Sequence, residues 1–132
     1  GVTYGKAERE DTRRDKIKAA WPVLIEYEQT LIGKLITGLQ SVSGVRVYGI
    51  TERADFDQRV ATVAIRKSGT TPEELAKALG SENINVTNGD FYAVSLIERL
   101  GLDPSGGLLR IGLAHYNTDD EIQKLIEVLD RI

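Results

Sequence analysis

The sequence predicts an α+β fold in which a mostly antiparallel sheet of about four strands packs with helices. Segments with apolar residues every three or four positions alternate with short β-branched segments, in the order α-β-β-α-β-α-β-α. A chain of 132 residues with 41% hydrophobic content is long enough for one domain with a real core. We therefore expect a single domain, residues 1–132, in which residues 45–132 form a sheet with helices stacked on it.

The first segments predict a polar lead-in and one long helix. Residues 1–11 show no hydrophobic period, and we expect them to be mobile. Residues 12–40 carry apolar residues at helical spacing. These positions include Ile17, Trp21, Leu24, Leu31, Ile32, Leu35 and Leu39. Pro22 either kinks this helix or begins a second one, and the length of the pattern favours one long, bent helix. Trp21 is expected to pack in the core.

The next segments predict a strand pair and a capped helix. Residues 45–50 alternate as a half-buried strand, and residues 59–67 are β-branched. The polar stretch 51–58 between them is expected to be a loop that joins two antiparallel strands. The segment Thr71-Pro72-Glu73-Glu74 is a capping box with proline at the first helical position, and Gly80 is expected to end its helix.

The last third of the chain predicts two more strands and two more helices. Residues 83–87 are expected to form a short strand and residues 88–90 a turn, before a short helix that ends at Gly101. After the loop 102–107, the apolar run from Leu108 predicts a buried strand. A second capping box, Thr118-Asp119-Asp120-Glu121, begins the last helix. Its predicted buried residues are Ile122, Leu125, Ile126 and Leu129.

Composition excludes several classes of site. The absence of cysteine excludes disulfides and thiolate chemistry within this chain, and one histidine excludes a histidine-rich metal site. A net charge of -3 does not favour a nucleic-acid partner. No apolar run reaches membrane-spanning length and no signal peptide is visible, so we expect no membrane partner and a cytoplasmic location. Because the chain begins at Gly1 rather than Met, we expect a fragment of a longer protein.

Arg110 is the one polar residue that the apolar pattern around it does not explain. A buried arginine must be paired or face a ligand, so it either forms an ion pair with a neighbouring element or binds a substrate carboxylate. His115, at the end of the same strand, is either a ligand contact or a surface residue near the helix cap. Asp90 and Tyr92 lie where a helix begins, and Asp90 is a candidate helix cap.

Four segments, in this order, resemble the C-terminal small domain of a class V aminotransferase of the cysteine desulfurase-like branch. They are Val45-Arg46-Val47-Tyr48-Gly49, Gly89-Asp90-Phe91-Tyr92-Ala93, Glu98-Arg99-Leu100-Gly101 and Leu109-Arg110-Ile111-Gly112-Leu113-Ala114-His115-Tyr116-Asn117-Thr118. The resemblance covers nearly the whole chain, including the long first helix. It implies a pyridoxal phosphate-dependent enzyme whose missing large domain holds the Schiff-base lysine and most of the cofactor site, so we expect no cofactor in this chain alone.

The resemblance also implies residue roles. Arg110 matches the arginine with which this family binds the α-carboxylate of an amino-acid substrate. Possible lining residues of that site are Asp90, Phe91, Tyr92, His115 and Asn117. Further expectations are a homodimeric parent and a catalytically inert isolated domain.

One position departs from the family pattern. Tyr92 stands about where cysteine desulfurases carry the persulfide-forming cysteine. Racemisation, transamination or a thiol-independent elimination therefore fits the parent better than desulfuration. The competing hypothesis is a stand-alone α+β module that binds small molecules or proteins. An exposed apolar patch along the first helix would favour the fragment of a larger enzyme.

Overall fold

The computed structural model describes residues 5, 8, 11–102 and 106–132. Within these residues the elements follow the predicted order, with one short 3₁₀ helix added between the first two strands. The elements are α1 (Arg13–Ser41), β1 (Val45–Tyr48), the 3₁₀ helix (Arg53–Gln58), β2 (Thr62–Lys67), α2 (Pro72–Ser81), β3 (Thr87–Gly89), α3 (Val94–Arg99), β4 (Leu108–Gly112) and α4 (Asp119–Arg131). The α+β prediction with a four-stranded antiparallel sheet is confirmed.

Helices cover one face of the sheet. The opposite face, called here the open face, carries the exposed residues Arg46 and Arg110, although Leu108 on this face is buried. The strand order of the sheet is β1-β2-β4-β3, and every neighbouring pair is antiparallel. Because successive side chains point to opposite faces, Val63 pairs with Ile111 and Ile65 with Leu109 on the covered face, where all four are buried. Helix α1 packs on β1 and α4, and α2 packs on β3, β4 and α4. Ala64 and Arg110, which lie between these pairs along β2 and β4, point to the open face.

Helix α1 is one continuous helix with Pro22 inside it and Thr12 as its N-cap. Its buried residues lie only in its second half, from Leu31 to Leu39. The prediction that Trp21 packs in the core is wrong, because 57% of this residue is exposed. Helical spacing identified an apolar stripe correctly, but the sheet and α4 cover only the part of α1 that lies against them.

Several predicted boundaries also differ from the structure. The third strand, expected at 83–87, lies at Thr87–Gly89, so two residues of the expected turn are hydrogen-bonded to β4 instead. Gly80 does not end α2, which continues to Ser81. The expected loop 51–58 contains the 3₁₀ helix, which buries Phe56. Most of the predicted lead-in, and residues 103–105 of the predicted loop, lie outside the described residues.

Candidate functional site

Arg110 lies on the open face of the sheet. It pairs with Ala64 of β2 on one side and Thr87 of β3 on the other, at the centre of β4. The apolar residues of this strand are buried as expected, but the expectation that Arg110 is buried with them is wrong, since it is exposed between the buried residues Leu109 and Ile111. Strand alternation sends its neighbours into the core and its own side chain outward. Arg110 therefore pays no burial penalty that would require an internal ion pair.

The Arg110 guanidinium stacks on the ring of Phe91. The guanidinium carbon lies 4.5 Å from the centre of that ring. A cation–π contact of this kind contributes about 0.5–1 kcal/mol at an exposed site. Among the described residues, no carboxylate forms an ion pair with Arg110. Its N–H groups are therefore available to a ligand in a fixed orientation.

Phe91 reaches Arg110 from a strained turn after β3. Phe91 and Tyr92 have φ angles of 55° and 62°, a left-handed conformation that costs about 1–2 kcal/mol for each such residue. The Asp90 carboxylate accepts the Tyr92 N–H at 3.0 Å, and its carbonyl accepts the Ala93 N–H at 2.9 Å. Asp90 is thus a turn residue and not the N-cap of α3, which is Ala93. The side chain of Tyr92 is fully exposed.

Gly107 brings this turn and β4 together. A Cβ atom at Gly107 would lie 2.2 Å from the carbonyl oxygen of Gly89, so only glycine allows the two backbones to approach this closely. Arg66 donates a hydrogen bond of 2.8 Å to the Gly107 carbonyl. Neither role was predicted. The glycine pair 106–107 was visible as a loop signal, but the close approach depends on a tertiary contact.

His115 and Asn117 lie in the connection between β4 and α4. His115 Nδ1 is 4.0 Å from the carboxylate of Glu28 on α1. The Asn117 side chain accepts the Ala114 N–H at 2.8 Å and donates to Glu121 at 3.2 Å, so its polar atoms are used within this connection. The structure thus brings Phe91 to Arg110, whereas His115 and Asn117 have contacts of their own. Their predicted ligand roles, like those of Asp90 and Tyr92, stay predictions.

Hydrogen bonds at the start of α4, next to the connection from β4, shift the pKa of one carboxyl group. Glu121 accepts hydrogen bonds from the Thr118 N–H at 2.8 Å and from Asn117, and these bonds lower the pKa of the Glu121 carboxyl. The matching capping box at α2 lowers the pKa of Glu74 through Thr71. Both carboxylates are therefore structural acceptors at helix starts, as their sequence spacing predicted.

The described residues do not by themselves fit a pyridoxal phosphate site. Four of their lysines contact groups away from Arg110: Lys34 meets Asp119, Lys67 the Ser43 carbonyl, Lys77 Glu73 and Lys124 the Glu82 carbonyl. The other two, Lys16 and Lys18, lie in the first half of α1. In the part of the chain that the structure describes, no group of three or more acidic or histidine side chains could hold a metal ion. No helix of that part has the length and apolarity to cross a membrane.

Comparisons with known proteins agree on one family. The family model described as aminotransferase class V matches residues 22–125. Aminotransferase-like protein FGM3 of Gibberella zeae is 32% identical over 117 residues, which are 87% of this chain and 29% of that protein. A cysteine desulfurase of Cronobacter sakazakii is 30% identical over 107 residues, which are 81% of this chain and 24% of that protein.

The fold is similar to that of solved cysteine desulfurases. The apo cysteine desulfurase of Thermococcus onnurineus NA1 matches with a TM-score of 0.77 at 21% identity, over 89% of this chain and 28% of that one. At this identity the similarity concerns the fold. The chain spans about a quarter of the length of the proteins that it matches.

Proposed function

The chain belongs to the class V aminotransferase family, and we propose that it forms the C-terminal small domain of a larger pyridoxal phosphate-dependent enzyme. In this proposal Arg110 binds the α-carboxylate of an amino-acid substrate and the domain closes over it. The observation that carries the proposal is the Arg110 guanidinium, stacked on Phe91 on the open sheet face, with no ion pair among the described residues. A guanidinium held in this way can bind a carboxylate through two parallel hydrogen bonds.

The first half of α1 supports the view that this domain is part of a longer protein. Ile17, Trp21 and Ile25 expose 49%, 57% and 48% of their surface, and they project beyond the part of the helix that is packed. Exposed apolar surface of this kind is typical of an interaction site. The proposed occupant is the large domain of the same protein, since the matched relatives are several times longer. A stand-alone module would be expected to carry a polar surface here.

The cofactor and the reacting groups are proposed to lie in that large domain. No described lysine lies next to Arg110, so the isolated chain is expected to be inert. With Tyr92 exposed in the turn next to Arg110 and no thiol in the chain, we expect racemisation, transamination or a thiol-independent elimination. The parent is expected to be a cytoplasmic homodimer.

The first test is the size of the native gene product. Peptides from residues 45–132 should be found in a species much larger than 14.5 kDa when cell extract is fractionated by mass. The purified product should absorb light as a pyridoxal phosphate enzyme does, and light scattering should give the mass of two chains. A native species of 14.5 kDa, or a longer product that never takes up the cofactor, would contradict the proposal.

A further inference from the structure

The open face of the sheet concentrates positive charge beside Arg110. Arg46 of β1 lies directly opposite Arg66 of β2, and Arg110 of β4 pairs with Ala64, two residues before Arg66. All three arginines therefore point to the same face. Since the whole chain carries a net charge of -3, this is a local feature and not a consequence of a basic sequence.

Arg46 and Arg110 share one arrangement. The guanidinium carbon of Arg46 lies 4.9 Å from the centre of the Tyr48 ring, and that of Arg110 lies 4.5 Å from the centre of the Phe91 ring. Neither arginine forms an ion pair with a carboxylate of the described residues. Stacking on a ring leaves the N–H edge of a guanidinium free to bind a carboxylate in a planar, two-bonded geometry.

Arg46 and Arg110 lie on opposite sides of Ala64 on the open face. Tyr48, Ala64 and Arg110 form one row across β1, β2 and β4. Ala64, with a single methyl group, separates the two larger side chains of this row. Strand spacing and rise place the Cα atoms of Arg46 and Arg110 about 12 Å apart. Both arginine side chains are long enough to approach one small ligand lying over Ala64.

We infer that this face binds a substrate with two anionic groups, such as an amino acid with an acidic side chain. Arg110 binds the α-carboxylate, and Arg46 binds the second acidic group at the far end of the ligand. Arg66, which donates to the Gly107 carbonyl, lies between them on the same face of the sheet. The inference rests on the proposed function for Arg110 and extends it by assigning Arg46 as the residue that selects the substrate class.

The test compares two acids of equal carbon number on the longer protein that contains this chain. Calorimetry measures the affinity of glutarate, which has two carboxylates, and of valerate, which has one. The wild type is expected to bind glutarate about tenfold or more tightly than valerate, since a hydrogen bond to a charged group is worth at least about that factor. Arg46→Gln is expected to abolish this preference and to leave valerate affinity unchanged.

Arg53→Gln is the matched control, because Arg53 is exposed in the 3₁₀ helix and the substitution removes the same charge. Equal or undetectable binding of the two acids by the wild type overturns the inference. A glutarate preference that survives Arg46→Gln also overturns it. A loss of thermal stability in Arg46→Gln with the glutarate preference retained would likewise overturn it, because Arg46 would then contact an acidic surface of the rest of the protein and not the ligand.

Arg110→Gln separates this inference from the proposed function. It should weaken the binding of both acids. Valerate affinity that is independent of Arg110 contradicts the proposed function itself. Valerate affinity that depends on Arg110, combined with a glutarate preference independent of Arg46, contradicts only the inference about the second anionic group.

Discussion

Two arginines of this domain stack on phenylalanine rings but differ in what their N–H groups contact. The Arg59 guanidinium lies 5.8 Å from the ring centre of Phe56 and donates to the backbone carbonyls of Ile50, Val60 and Thr62. The Arg110 guanidinium lies 4.5 Å from the ring centre of Phe91, and no carboxylate of the described residues pairs with it. Arg59 joins the 3₁₀ segment to β2, whereas Arg110 faces open space.

The difference indicates which arginine serves the fold and which can serve a ligand. Burial lowers the pKa of Arg59 from its ordinary value, and the three carbonyls compensate for the lost hydration. Arg110 is exposed and oriented by a ring that takes none of its hydrogen bonds. Stacking on a ring therefore indicates a ligand-binding arginine only when no group of the protein accepts the hydrogen bonds of its guanidinium.

Gly107→Ala should give the largest effect, because it disturbs the turn that carries Phe91 without changing Arg110. The new Cβ would meet the Gly89 carbonyl at 2.2 Å, and the φ of +71° adds strain. We expect the free energy of unfolding to fall by about 3 kcal/mol, measured by urea denaturation. Gly106→Ala is the control, since its φ is +83° but its Cβ would lie 3.9 Å from the nearest atom, in Pro72. Equal losses for both variants would exclude the close approach as the cause.

Arg110→Ala should separate ligand binding from stability. In the longer protein it is expected to weaken the affinity for the amino-acid substrate about a hundredfold, because two charge-assisted hydrogen bonds are lost. Thermal stability should fall only slightly, since the exposed side chain loses one cation–π contact worth about 0.5–1 kcal/mol. Arg110→Lys should recover only part of the affinity, because it restores the charge without the planar fork. A fall in melting temperature with full substrate affinity would place Arg110 in the same class as Arg59.

Arg59→Gln should show the opposite behaviour. Loss of its bonds to the carbonyls of Ile50 and Thr62 is expected to lower the free energy of unfolding by about 1–2 kcal/mol. Substrate affinity should not change. Chemical denaturation of this variant beside Arg53→Gln, which changes an exposed arginine of the same segment, isolates the effect of the carbonyl contacts. The assignment fails if the two variants are equally stable.

Glu121→Gln should give the smallest effect. It tests the hydrogen bonds that the Glu121 carboxylate accepts from Asn117 and Thr118. Because the pKa of Glu121 is lowered from its ordinary 4.5, its contribution to stability is present above that pH and is lost as the pH falls further. The difference in melting temperature between wild type and variant should thus be constant near neutral pH. It should become smaller as the pH is lowered below about 4.5. Glu98→Gln, an exposed carboxylate of α3, is the control. A difference that stays the same at every acidic pH at which the protein remains folded would rule out this ionisation.

Local patterns predicted most of the fold because their causes act over a few residues. The capping boxes at Thr71 and Thr118 join atoms three residues apart, and both have the predicted hydrogen bonds. Alternation predicted β1 and β-branched composition predicted β2, although β2 begins three residues later than expected. Position 21 was misjudged because a hydrophobic stripe does not show how much of it another element covers.

The candidate site was predicted in part, for a related reason. The sequence by itself determined the order of elements, the two capped helices and the isolated arginine within an apolar run. Only the tertiary structure decided that Arg110 is exposed, that Phe91 lies over it and that Arg46 shares its face. These outcomes depend on the strand order β1-β2-β4-β3 and its register, which pair residues 16 to 50 positions apart. Hydrogen bonds between such distant residues leave no trace in the local spacing of side chains.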